Sequence, residues 1–208
     1  GNIYLGGTGK TSLAIELKKM FDKQNIKSCF IKKEYLDQID EQILLKKFGK
    51  TFINKSRINA LKSAISEEYQ VAIFDDGLQD KSILYDHTLV CFNQKNKIGN
   101  GRIIPAGPLR ESLDSLNGYG NIFLNGNDDD NISFKKILLE RFPNLEIYET
   151  KYEISNLEKF NKKDKFIAFS GIGNHQTFIE MLKKNQLKII EDFEYPDHYN
   201  YSITDIEK

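Results

Sequence analysis

The 208-residue sequence is short of net charge, of long apolar runs and of arginine, and each shortage excludes something. Basic and acidic residues balance at 30 against 30, so no global field draws the chain to nucleic acid or to an anionic membrane. No apolar run approaches the roughly 18 residues of a membrane span, and no stretch of the sequence reads as a signal peptide. Two cysteines, Cys29 and Cys91, sit in the apolar runs SCFI and LVCF without CxxC spacing and read as buried reduced thiols, which suits a soluble chain of a reducing compartment. Nearly all basic residues are lysines; the arginines are Arg57, Arg102, Arg110 and Arg141. Against that scarcity Arg102 and Arg110 stand out. They share one glycine- and proline-rich stretch, and guanidinium forks grip phosphates bidentately. An initiator methionine is also lacking and the chain starts almost inside a motif, so the expectation is a fragment whose N-terminus lies upstream.

What is present alternates between strands and helices. The segment NIYL reads as the end of a buried strand. KTSLAIELKKMFDKQN reads as a helix presenting Leu13, Leu17, Met20 and Phe21 on one face. KSCFIK, QVAIFDDG, DHTLVCFN and NIFLNG read as strands, and QIDEQILLKKF and SRINALKSAISEEY as helices. A helix (FKKILLERF), a strand (LEIYETKYE) and a second strand–glycine turn–helix unit (DKFIAFSGIGNHQTFIEMLKKNQ) follow. The pattern predicts an α/β protein of P-loop NTPase-like class, with a mainly parallel sheet carrying helices on both faces. A nucleotide- and substrate-binding domain is expected over 1–150, and the start of a second, smaller α/β lobe over 151–208. Ligands of such sheets gather beyond the carboxyl ends of the strands.

Three stretches carry chemistry. In GGTGKTS, residues Gly6, Gly7, Thr8, Gly9, Lys10, Thr11 and Ser12 follow a strand and open a helix. The strict G-x-x-x-x-G-K-[ST] pattern would need glycine at position 4, which is Tyr4, so the match is partial. The physics still fits: glycines let backbone N–H groups curl around phosphate, the helix start adds its dipole, Lys10 adds a point charge and Thr11 a hydroxyl for Mg²⁺. The other reading is a strand–helix turn whose glycines serve packing. In VAIFDDGLQD an apolar strand ends on Asp75 and Asp76, resembling the acidic strand end that orients Mg²⁺ in phosphate-loop enzymes. Adjacent carboxylates leave an extended chain on opposite sides, so the pair is expected to divide its roles between metal ligation, assigned to Asp75, and catalysis, assigned to Asp76, with which of the two contacts Mg²⁺ left open. In GNGRIIPAGPLRE, glycines permit close backbone approach and prolines stiffen a loop that presents arginines to an anion. SGIGNHQTF fails the G-x-G-x-x-G spacing at Gln176 and reads as a tight turn. His87 and His175 read as structural. His198 lies in YPDHYNY beside Asp197 and aromatics.

Together, GNIYLGGTGKTS, FDDGLQD, GNGRIIPAGPLRE, FSGIGN and PDHYNYS resemble, in this order and along essentially the whole chain, the motifs of the tetraacyldisaccharide 4'-kinase family. The resemblance implies transfer of the γ-phosphoryl of ATP, with Mg²⁺, to the 4'-hydroxyl of an acylated glucosamine disaccharide 1-phosphate, the lipid A precursor. It implies work at the cytoplasmic face of the bacterial inner membrane, reached through an N-terminal segment that this sequence lacks, and no nucleic-acid partner. By the same resemblance Lys10 and Thr11 are the phosphate-loop lysine and metal-ligating threonine, and Arg110 is the arginine of the GPLRE loop. IDEQILL corresponds to a GDEP-type segment with Ile39 and Gln42 in place of glycine and proline. Asp40 is then the catalytic aspartate and His198 the histidine coupled to it. A basic stretch expected after the second strand is reduced to IKKEYL, and His175 stands where the family has proline. Two other classes remain open: a phosphate-loop ATPase or GTPase switch, of whose NKxD element NQKNK is a poor echo, and a non-catalytic nucleotide- or glycan-binding module.

Overall fold

A computed structural model describes residues 1–35, 39–126, 131–197, 199 and 201–206. The chain forms two compact units, Gly1–Glu149 and Thr150–Lys208. In the first, α1 (Lys10–Lys23), β1 (Ser28–Lys33), α2 (Ile39–Phe48), β2 (Thr51–Asn54), α3 (Arg57–Ser66) and β3 (Val71–Asp75) build a sheet of order β2-β1-β3. Both pairings are parallel. Then β4 (Leu89–Asn93), a 3-10 turn at Leu113–Gly118, β5 (Asn121–Asn125), α4 (Ile132–Arg141) and β6 (Glu146–Thr150) follow, with strand order β4-β5-β6 and β4 parallel to β5.

The central strand β1 explains the layering. Its side chains alternate: Phe30 packs with Ala14, Ile15, Leu45 and Ile73 on the α1 and α2 side, while Cys29 and Ile31 pack with Phe52, Ala60 and Ala64 on the α3 side. A period-2 strand that is apolar on both faces must be covered twice, so helices lie on both faces of this sheet. The α/β reading therefore stands. The buried face of α1 is not the one expected. Ala14, Ile15 and Lys18 are buried, Leu13, Leu17 and Phe21 are half-buried, and Met20 is 57% exposed. Ala14 and Ile15 pack directly with Phe30 and Ile73, while Leu17 and Phe21 lie partly buried at the edge of the same cluster. The short strand β2 went unread, because four residues carry too little alternation.

The segment before the glycine loop is tied on two sides. Gly1 pairs in parallel fashion with β4, its amine donating to the Leu89 carbonyl and its carbonyl accepting from Cys91 N–H, each at 2.9 Å. Arg110 N–H donates to Ile3 O at 2.7 Å and Leu5 N–H to Pro108 O at 2.8 Å, so the proline-rich loop lies alongside residues 3–5. Gly107 makes that loop possible: a Cβ there would crowd Asn100 Oδ1 and sit 2.5 Å from the Arg102 carbonyl oxygen. Gly107→Ala is expected to cost about 1–3 kcal/mol through forced displacement of backbone, read from the urea midpoint.

The second unit holds a 3-10 turn at Leu157–Lys159, then β7 (Lys165–Ser170), α5 (His175–Lys184), β8 (Lys188–Glu194) and the short α6 (Ile203–Ile206), with β7 parallel to β8. His175 is buried and bridges Ser170 Oγ at 2.7 Å and Asp192 Oδ2 at 2.9 Å, the structural role expected of it. Asn174 caps α5 by accepting from Thr177 N–H at 3.0 Å.

Candidate active site

Lys10 is the first residue of α1, and Gly9 before it is the N-cap with φ 80° and ψ 20°, a left-handed conformation that glycine adopts without strain. Gly6 and Gly7 are exposed, as a loop meant to meet a ligand must be; Thr8 is buried beneath them. Two asparagines hold the loop from below. Asn2, fully buried, donates through Nδ2 to Tyr4 O at 2.5 Å and to Thr8 Oγ1 at 3.1 Å. Asn125, at the carboxyl end of β5, donates to Thr8 O at 2.5 Å. Loop backbone carbonyls are thus satisfied from inside. Lys10 and Thr11 are partly exposed at the loop and Ser12 is exposed.

The two aspartates at the tip of β3 serve different partners. Asp75 Oδ2 accepts from Thr11 Oγ1 at 3.2 Å and from Lys32 Nζ at 2.8 Å. Its other oxygen, Oδ1, is buried and has no hydrogen-bond partner among the described residues. Asp76 turns into the left-handed region, φ 55°, and its carboxylate faces Arg110 Nη1 at 2.9 Å and Lys10 Nζ at 3.9 Å. Burial would raise the Asp76 pKa, but the charges of Lys10 and Arg110 outweigh it and hold this carboxyl below the usual range. Arg110 also donates to Asn2 Oδ1 at 2.8 Å, which links it to the base of the glycine loop. Gln79 Nε2 ties the aspartate turn to Asn2 O at 2.9 Å and to Glu111 Oε1 at 2.8 Å.

The residues expected at the site are therefore gathered in part. The loop of Gly6, Gly7, Thr8, Gly9, Lys10 and Thr11 is joined to Asp75 through Thr11, to Asp76 through Lys10, and to Arg110 through Asn2 and Asp76. Arg102 lies exposed on the loop. Asp40 is exposed on the first turn of α2; its neighbour Glu41 turns inward and pairs with the buried Lys32. His198 lies outside the described residues. Lys32, Glu41, Asn2, Asn125 and Gln79 were not foreseen. Only Lys32 left a signal: a lysine directly after the apolar run SCFI, at the position that pairs in register with Asp75. Burial alone would lower its pKa, yet Asp75 and Glu41 more than compensate and raise it above 10.5.

A parallel α/β sheet, a glycine loop opening a helix, and carboxylates at the adjacent strand tip define a phosphate-loop nucleotide-binding protein. The model of the family described as Tetraacyldisaccharide-1-P 4'-kinase matches residues 37–208. A tetraacyldisaccharide 4'-kinase of Pelagibacter ubique (strain HTCC1062) is 56% identical over 208 residues, which is 100% of this chain and 66% of that protein. Those of Rickettsia canadensis (strain McKiel) and Rickettsia bellii (strain OSU 85-389) are 32% and 34% identical over 100% of this chain and 67% and 68% of their own. The chain belongs to the tetraacyldisaccharide-1-P 4'-kinase family. It spans about two thirds of the length of the curated relatives it matches.

Proposed function

We propose that this chain transfers the γ-phosphoryl of ATP to the 4'-hydroxyl of an acylated glucosamine disaccharide 1-phosphate. The observation that carries the reading is the orphaned, buried Oδ1 of Asp75, on the carboxylate that also holds Thr11 Oγ1 beside the glycine loop. Hard oxygen donors of this kind suit Mg²⁺. Thr11 and Asp75 would hold that ion, which neutralises charge on the β- and γ-phosphates when bound. Among the described residues no three His, Cys, Asp or Glu side chains gather into a metal centre of their own.

The remaining chemistry belongs to side chains. Amides of Gly6–Ser12 and Lys10 hold the β- and γ-phosphates, and Asp76 keeps Lys10 and Arg110 pointed at one place. Arg110 stabilises the transferring group or a substrate phosphate. The sugar oxygen attacks phosphorus, the bond to the β-phosphate oxygen breaks, ADP leaves, and the hydroxyl proton passes to Asp40, the aspartate to which the family resemblance couples His198. The acyl chains place the substrate in a bilayer, and we assign the work to the cytoplasmic face of a bacterial inner membrane. Among the described residues no helix is long and apolar enough to cross a membrane.

The test is ATP turnover with and without the lipid disaccharide. Acceptor-dependent ADP release with phosphate on the sugar is expected. Release without acceptor points to a switch ATPase, and binding without release to a non-catalytic module. Asp40→Asn and His198→Ala should each lower kcat far more than ATP affinity, and the double variant should cost less than the two losses combined. Strictly additive losses would remove the coupled pair.

A further inference from the structure

Arg57 opens α3 and is only 7% exposed, in a chain that uses lysine almost everywhere else. Its position opposes elementary preferences. A cation at a helix N-terminus works against the macrodipole, and a charge is rarely this buried unless it is fully paired. Its Nε is buried with no hydrogen-bond partner among the described residues. Packing alone would be served better by an apolar side chain. What the guanidinium does reach is the aspartate turn: Nη2 donates to the Asp76 backbone carbonyl at 2.6 Å and Nη1 to Asp80 Oδ2 at 3.4 Å.

The residue so gripped is the strained one. Asp76 has φ 55°, a region that aspartate tolerates better than most side chains but still enters at a cost. The next carbonyl, Gly77 O, is held as well, accepting from Tyr85 Oη at 2.8 Å and from Asp80 N–H at 2.9 Å. Two successive peptide planes just past the strand tip are thereby fixed by side chains that come from outside the glycine loop. Were Asp76 to relax to an extended conformation, its carboxylate would leave Lys10 and Arg110, the two cations that the turn now gathers.

We propose that Arg57 is a positioning residue for phosphoryl transfer: by holding the Asp76 carbonyl it keeps that residue left-handed, so that the Asp76 carboxylate orients Lys10 and Arg110 at the glycine loop. The proposal rests on the kinase reading for its consequence, not for its geometry. Geometry is tested first, on the unaltered protein and without substrate. The Nη protons of Arg57 should appear in NMR as separate, slowly rotating signals with coupling through the hydrogen bond to the Asp76 carbonyl. A single averaged guanidinium signal without that coupling would overturn the proposal, whatever the enzyme catalyses.

Consequence is tested with Arg57→Lys, which keeps the charge but cannot span both acceptors. Well below the variant's Tm, kcat should fall about 10- to 100-fold, as small misplacements in a preorganised site do, while KM for ATP changes less than about twofold. A folded Arg57→Lys protein with unchanged kcat would leave Arg57 a staple between α3 and the turn, and the proposal would fall. If the unaltered protein shows no acceptor-dependent turnover, the kinase reading fails, and the NMR result alone decides the inference.

Discussion

Lys10→Ala is expected to lower kinase turnover by about 100- to 1,000-fold at saturating ATP and Mg²⁺, with the fold intact. The magnitude is that of removing one preorganised charge or donor from where negative charge develops in the transition state. Lys10 is suited to this because it opens α1, directly after the glycine loop and beside Thr11. Its ammonium stands 3.9 Å from Asp76, a partner loose enough to release it to a phosphate. Circular dichroism should match the unaltered protein and the thermal midpoint should fall by no more than a few degrees, since Asp76 keeps Arg110 as a partner at 2.9 Å when Lys10 is gone. Near-normal turnover in the variant would show that the glycine loop does not hold the transferring phosphates.

A second substitution should act on stability before activity. Lys32 is 1% exposed, and its ammonium serves both the buried Asp75 and Glu41. Lys32→Met fits the space but strands a buried carboxylate that already has one oxygen without a partner, and the expected loss is about 3–5 kcal/mol at pH 7. The pH dependence has a definite sign. The pKa of Lys32 is raised in the folded state above its ordinary 10.5. Its stabilising contribution is therefore complete below 10.5 and declines only as pH rises through the folded value. Urea denaturation of both proteins at pH 7 and pH 9 should give the same difference, and the gap should narrow only at more alkaline pH. A difference under about 1 kcal/mol at pH 7 would mean that Asp75 and Glu41 find other partners when Lys32 is gone.

Glycine, lysine and hydroxyl residues in GGTGKTS, between an apolar segment and an amphipathic run, already define a phosphate loop, because few other uses need that backbone freedom beside that charge. Likewise VAIFDD places carboxylates at a strand end, and the alternation of apolar runs with helical periods defines an α/β sheet. These are local signals, legible within a dozen residues. Which partners Asp75 and Asp76 each meet was not legible. It follows from a left-handed turn at Asp76 that sends its carboxylate to Lys10 and Arg110, while Asp75 stays on the strand beside Lys32 and Thr11.

The role of Arg57 was equally hidden. Nothing in SRINALKSAIS indicates that its first arginine reaches a carbonyl 19 positions onward. Nor does GNIY suggest that Asn2 ties the glycine loop to a loop arginine 108 positions away. The sequence by itself determined the fold class and marked the candidate phosphate-binding residues, because periodicity and residue chemistry act over short range. Tertiary structure alone decided which carboxylate keeps an open oxygen, which cations are gathered and what holds them there. Those outcomes depend on parallel register and on hydrogen bonds between segments that the chain order keeps far apart.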